Sequence, residues 1–130
     1  STMQITSAMK MVSAAKLKKA QDAIVAMRPY SSKLTELLQN LSATLDGDAG
    51  GAYSTSREVS KVLLVVVTSN RGLCGGFNAN IIKKAKSLII NEYKDAQTDI
   101  LSIGKKSSED FTKNGFNDFR DAIGFAHRGI

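Results

Sequence analysis

The fold class is indicated most clearly by Val62–Ile81, VLLVVVTSNRGLCGGFNANI. It opens with a β-branched run, VLLVVV at Val62–Val67, which is typical of a strand buried on both faces. A glycine-rich turn follows and leads into a helical pattern from about Asn78 to Glu92, with its apolar residues on one face. The order of strand and then helix predicts the opening of an α/β fold.

A second strand, DILSI at Asp99–Ile103, follows the helical pattern. Strand, helix and strand in this order predict a right-handed parallel unit. Two parallel strands do not form a stable sheet, so we expect residues 61–130 to be the start of a truncated, Rossmann-like α/β domain. A short helix through Phe111 is predicted next, and the pattern of Phe116–Ile130 favours no single structure.

Residues 1–45 predict one long helix of the coiled-coil type. Nine positions follow the alternating spacing of three and four residues that marks a heptad seam, and eight of them are apolar. They are Leu17, Ala20, Ile24, Met27, Ser31, Leu34, Leu38, Leu41 and Leu45. Pro29 predicts a kink or a break near Arg28. A rod of 45 residues reaches about 65 Å, so its partner helix must lie outside this segment.

Residues 46–60, DGDAGGAYSTSREVS, separate the two patterns. They are rich in glycine, aspartate and serine and lack apolar periodicity, which predicts a linker. The predicted organisation is therefore a helix over residues 1–45, a linker over 46–60 and the start of an α/β domain over 61–130.

The excess positive charge of the chain lies almost wholly in its first quarter. Residues 1–33 carry six basic residues and a single acidic one, Asp22, whereas the whole chain has a net charge of +6. This distribution predicts an acidic partner for the helix, and charge alone leaves nucleic acid, acidic lipid and acidic protein open. We expect neither a membrane span nor a secretory leader, because no apolar run of roughly 18 residues and no leader pattern occurs in the sequence.

The glycine-rich turn has two interpretations, a phosphate-binding loop or a contact surface. Gly72, Gly75 and Gly76 do not fit the G-x-G-x-x-G spacing, and the lysine followed by serine or threonine of a phosphate loop is missing. Arg71 suits either interpretation, because a guanidinium can clamp a phosphate or a carboxylate. Cys74 is better explained as a small contact residue than as a nucleophile, because the single histidine, His127, is more than fifty residues away.

Catalytic or metal-binding chemistry is not indicated by the sequence. One cysteine excludes an internal disulfide, and one cysteine with one histidine does not supply a zinc cluster. Carboxylate pairs and serine–histidine arrangements do not stand out either. We therefore expect a non-catalytic chain without a cofactor.

Two segments resemble a known family. ITSAMKMVSAAKLKKAQ at Ile5–Gln21 resembles the N-terminal helix of the gamma subunits of F-type ATP synthases, and VVVTSNRGLCGGFNANI at Val65–Ile81 resembles the strand, turn and helix that open their α/β domain. The RPY at Arg28–Tyr30 is also similar to this family. The resemblance extends in organisation from Ile5 to about Gly104.

The resemblance implies a rotor shaft that carries torque inside a hexamer of alpha and beta subunits, where the ATP chemistry takes place. The implied partners are those subunits, the epsilon subunit, the membrane c-ring and a C-terminal helix of the same protein. Membrane association would come only through the complex, at the cytoplasmic face of a bacterial inner membrane or, alternatively, at the matrix side of the mitochondrial one. Carried over by motif, the residues that contact the acidic levers of the beta subunits are Met9, Lys10, Lys16, Arg71, Cys74 and Gly75.

Two other functions are weighed against this one. A nucleotide-binding α/β domain with a basic helical extension is the main alternative, and it predicts binding of ATP or a dinucleotide. A nucleic-acid binder is disfavoured because residues 1–33 contain one aromatic residue, Tyr30, and because the apolar seam favours a helical partner.

Overall fold

A computed structural model describes residues 1–45, 53 and 55–116. The chain divides into two compact units, residues 1–56 and residues 57–130. Most of the predicted linker over 46–60 and the ambiguous segment after Phe116 lie outside the described residues, and the linker stays a prediction. Each unit is described by itself below.

In the first unit, residues 1–45 form one long helix, α1, which runs from Thr2 to Thr44 over 43 residues. Pro29 lies inside it, and the helix is continuous across that position. Of the two predicted alternatives, a break near Arg28 is therefore wrong, and a kink stays a prediction. Proline removes one backbone donor, and the turns on either side retain their own hydrogen bonds.

The large apolar side chains of α1 are exposed within this unit, and the helix has no buried residue. The exposed set is Met3, Ile5, Met9, Met11, Val12, Leu17, Ile24, Val25, Met27, Tyr30, Leu34, Leu37, Leu38 and Leu41. This agrees with the prediction that the seam has no partner within its own segment. In water, a helix with a continuous apolar stripe gains most of its stability by packing that stripe against another element.

The second unit confirms the predicted α/β fold. Strand β1, Lys61–Val67, precedes helix α2, Phe77–Ser87, which continues as a π-helical turn over Leu88–Glu92. Strand β2, Gln97–Ile103, and helix α3, Lys105–Lys113, follow in the described part of this unit. The two strands are parallel and pair in register from Lys61 opposite Gln97 to Val67 opposite Ile103.

The core of this unit lies on one face of the two strands. Val66 and Ile100 project from neighbouring strands into a cluster with Ala85 of α2 and Phe111 of α3. Ile100 and Phe111 are fully buried, and Phe111 meets Phe116 edge to face with ring centroids 5.5 Å apart. Helices α2 and α3 thus cover the face that carries these residues.

The opposite face of the strands remains open within the described unit. Leu63, Val65 and Val67 alternate with the core positions along β1, and each is more than half exposed. Ile103 of β2 pairs with Val67 and is also exposed. A parallel sheet is normally covered on both faces, so this open apolar face agrees with the prediction that the sheet is incomplete.

Candidate functional site

The turn between β1 and α2 is anchored to the rest of the unit at Thr68. The amide of Thr68 donates to the carbonyl of Ile103 at 2.8 Å, which extends the strand pairing by one residue. The Thr68 hydroxyl donates to Oγ of Ser107 at 2.9 Å and accepts from the Ser107 amide at 2.9 Å. Both side chains are buried, so the polar groups that start the turn are satisfied where water is excluded.

Asn78, in the first turn of α2, holds the middle of the loop. Its side-chain oxygen accepts from the Ser69 amide at 3.0 Å, and its Nδ2 donates to the carbonyl of Arg71 at 3.2 Å. The Ser69 hydroxyl also donates to the Arg71 carbonyl. The Asn78 side chain therefore holds the loop at two points, Ser69 just after β1 and Arg71 farther along.

The tip of the loop has an unusual backbone conformation. Leu73 has φ +59° and Gly75 has φ +60°, so both lie in the left-handed region. Glycine adopts this region readily, whereas leucine seldom does. The Leu73 side chain is fully exposed, and Cys74 beside it is also exposed.

The predicted turn residues Arg71, Cys74 and Gly75 therefore share one loop held by Asn78. Arg71 and Gly75 are exposed like Cys74. A β-carbon added at Gly75 would meet nothing within 4 Å, which shows that the tip stands clear of its own unit. The arrangement presents a basic and an apolar side chain outward on a fixed backbone.

Two backbone amides at the ends of the loop are bonded within the unit. The amide of Ser69 donates to Asn78, and the amide of Phe77, the first residue of α2, donates to the carbonyl of Cys74 at 3.4 Å. A phosphate loop directs its amides at its ligand, so these two end amides are not available for that role.

The predicted residues of the first unit lie on exposed helix. Met9 and Lys16 are seven residues apart and share one stripe of α1, and Lys10 lies beside Met9. The salt bridges within residues 1–45 are Lys18–Asp22 and Lys33–Glu36. Lys10 and Lys16 therefore keep their charge uncompensated by a carboxylate of this segment.

Two further features were not predicted from the sequence. One is the exposed Leu73, and the other is a basic groove between α2 and α3 that Lys83, Lys86 and Lys106 line, with Asp110 paired to Lys86 at 2.5 Å. The sequence signal for Leu73 is a large apolar residue inside the glycine-rich segment Gly72–Gly76. The groove depends on how α2 and α3 pack against each other. The apolar periodicity of a single helix does not predict that packing.

Among the described residues, no group of three or more histidine, cysteine, aspartate or glutamate side chains is placed to hold a metal ion. The neighbouring Glu92 carboxylate raises the pKa of the Tyr93 hydroxyl, first by charge repulsion and second by hydrogen bonding. This pair is on the surface after α2, at the opposite end of that helix from the turn.

The structure shows a chain with a long exposed helix and a parallel α/β unit that carries an exposed glycine-rich turn. A family model described as ATP synthase matches residues 1–127. The gamma chain of the ATP synthase of Flavobacterium johnsoniae is 69% identical over 113 residues, 87% of this chain and 39% of that protein. The gamma chain of Christiangramia forsetii is 56% identical over 131 residues, 96% of this chain and 46% of the relative.

The chain therefore belongs to the ATP synthase gamma chain family, as Ile5–Gln21 and Val65–Ile81 indicate. It spans about two fifths of the length of the curated relatives that it matches. No helix in the described ranges combines the length and apolar character needed to cross a bilayer.

Proposed function

We propose that this chain is the N-terminal part of a central-stalk subunit that transmits rotation between a proton-driven membrane ring and a catalytic hexamer of alpha and beta subunits. The subunit is non-catalytic, and ATP is made or hydrolysed on the hexamer. Its attachment to the membrane is peripheral, through the complex, at the cytoplasmic face of a bacterial inner membrane. Its other partners are the epsilon subunit and the c-ring.

This proposal rests mainly on the exposed apolar seam of α1. A helix of 43 residues exposes its entire apolar seam within its own unit. Exposed leucine and methionine stripes of this length belong against another helix, because burial of each such side chain contributes about 1.5–3 kcal/mol. A C-terminal helix of the full-length protein, wound antiparallel, is the proposed occupant, and together the two form the shaft.

The charges support contact with acidic levers of the beta subunits. Lys10 and Lys16 are exposed on α1 without a carboxylate partner in their segment, and Arg71 is exposed on the glycine-rich turn. Exposed charge pairs contribute only about 0–1 kcal/mol each. A surface built from such weak contacts attracts an acidic lever at many angles without holding it at one, which suits a rotating part.

Co-assembly of the full-length protein tests the proposal. The protein is co-expressed with the alpha and beta subunits of its own complex, one subunit is tagged, and the purified complex is assayed for ATP hydrolysis. The expected result is a stoichiometric complex whose ATPase activity depends on this subunit. Recovery of alpha and beta subunits without it, under conditions where each chain is soluble, would overturn the proposal.

A further inference from the structure

Helix α3 begins without a cap of its own. Its N-cap residue is Gly104, which has no side chain to bind the first amides of the helix. The first hydrogen bond within the helix runs from the Ser108 amide to the Gly104 carbonyl at 3.4 Å. The three amides before it, those of residues 105–107, therefore need acceptors from another part of the chain.

Residues 68–70, which directly follow β1, supply all three acceptors. The bonds run from the Lys105 amide to Oδ1 of Asn70 at 3.0 Å, from the Lys106 amide to the Ser69 carbonyl at 3.2 Å and from the Ser107 amide to the Thr68 hydroxyl at 2.9 Å. The start of the glycine-rich turn therefore acts as the N-cap of a helix that begins 35 residues later.

Ser69 is bonded to α2 as well as to α3. Its amide donates to Oδ1 of Asn78 at 3.0 Å, and its hydroxyl accepts from Nδ2 of Asn78 at 2.8 Å. Its carbonyl accepts from the Lys106 amide of α3. A displacement of Ser69 that follows one helix therefore weakens its bonds to the other, and each lost bond leaves a polar group without its partner.

The same link lies beside the basic groove between α2 and α3. Asn78 of α2 and Lys106 of α3 both line this groove. Ser69 is bonded to both of these residues, and the exposed Arg71 follows it two positions along the chain. The position of Ser69 therefore determines how the first turns of the two helices are placed on either side of the groove.

We propose that the glycine-rich turn and the first turn of α3 form one cooperative unit joined at Ser69, so that a partner bound to the turn also stabilises α3 and its side of the groove. A partner that binds the exposed residues holds the turn in its bonded conformation, and the three α3 amides then stay capped. Without a partner, the two segments open together rather than one at a time. This coupling is a property of the α/β unit and stands independently of the proposed rotor function.

Residue-resolved amide hydrogen exchange of the full-length protein tests the coupling. Asn78→Ala removes the bonds of that side chain to Ser69 and Arg71 and leaves the donors and acceptors of the α3 cap in place. The amides of Lys106 and Ser107 should nevertheless exchange about fivefold faster or more, which corresponds to the typical cost of a lost helix cap.

Asn91→Ala is the matched control. Asn91 lies in the π-helical turn after α2, and its Nδ2 donates to Oγ of Ser87 at 3.1 Å, at the opposite end of α2 from the glycine-rich turn. The same asparagine-to-alanine change at this position should leave exchange at the first turn of α3 within about twofold of wild type.

The reverse direction is tested at Asn70. Asn70→Ala removes the acceptor of the Lys105 amide and should accelerate exchange of the Ser69 amide, which is bonded to α2. Asn70→Asp keeps an oxygen acceptor at the N-terminus of α3 and should keep exchange within about twofold of wild type.

Wild-type exchange of the Lys106 and Ser107 amides in Asn78→Ala, or of the Ser69 amide in Asn70→Ala, would overturn the inference, because each segment would then open alone. Equal acceleration throughout β1 and β2 would show a general loss of stability and would also overturn it. Either result leaves the proposed rotor function intact, since assembly with the alpha and beta subunits tests that function separately.

Discussion

A β-carbon placed on Gly104 would lie 2.0 Å from the carbonyl oxygen of Thr68. Gly104 follows β2 and precedes α3, and its φ is +109°. The ends of β1 and β2 thus approach so closely that a side chain does not fit between them. This close approach lets Ser107 of α3 reach Thr68 at the start of the glycine-rich turn.

Replacement of Gly104 with alanine should destabilise the α/β unit by about 3 kcal/mol or more, because the new methyl group meets backbone and the φ value is unfavourable for any L side chain. Denaturant unfolding of the full-length protein measures this change. Gly72→Ala is the control, because a β-carbon at Gly72 would meet nothing within 4 Å. Equal stability of the two variants would contradict the close approach.

Two hydrogen bonds join Thr68 and Ser107. The bond from the Ser107 amide should contribute more to the stability of the protein than the bond between the two hydroxyls. Thr68→Val removes the acceptor of the buried Ser107 amide and should cost about 1–3 kcal/mol, because that donor loses its partner. Ser107→Ala keeps the hydrogen bond from the residue 107 amide to the Thr68 hydroxyl, so it should lower the free energy of unfolding by less. A double-mutant cycle by denaturant unfolding checks the coupling, and strictly additive effects would show that the two residues do not interact.

The apolar seam of α1 predicts a difference between two neighbouring leucines in the full-length protein. Leu38 occupies a seam position, and its truncation to alanine should cost about 2–3 kcal/mol once a partner helix covers it. Leu37→Ala is the matched control beside the seam and should cost less than about 1 kcal/mol. Thermal or denaturant unfolding compares them. An effect of Leu38→Ala within about 0.5 kcal/mol would mean that the seam stays exposed.

The unpaired lysines of α1 should contribute to binding through charge. The double variant Lys10→Gln, Lys16→Gln should weaken binding to the alpha–beta complex by up to about tenfold at low salt, with a smaller effect at high salt. The control removes the same charge from the same helix at Lys18 and Lys33, which already pair with Asp22 and Glu36. Equal losses in the two double variants would show that only total charge matters.

The sequence predicted the α/β unit well because its signals are local. The β-branched run of β1 and the helical period after the turn need no distant information, and the observed strand Gln97–Ile103 extends the predicted Asp99–Ile103 by two residues. A kink or a break was predicted near Arg28; the helix does not break there, because a long helix accommodates the loss of one donor at Pro29, and the kink stays a prediction.

The candidate site was only partly predictable. Arg71, Cys74 and Gly75 were nominated by resemblance, and their exposure on one loop agrees with a contact role that itself stays a prediction. The role of Asn78 depends on the loop folding back on α2, and the left-handed conformation of Leu73 depends on the bonds that hold that loop. These are long-range consequences of the backbone path, which residue spacing does not encode.

Single-molecule observation shows whether the full-length subunit rotates within the hexamer. The full-length subunit carries a probe, the hexamer of alpha and beta subunits is fixed to a surface, and ATP is added. We expect stepwise rotation of this subunit in one direction, at a rate that rises with ATP concentration until it saturates. An assembled, ATP-hydrolysing complex in which this subunit stays fixed relative to the hexamer would rule out the proposed rotor function.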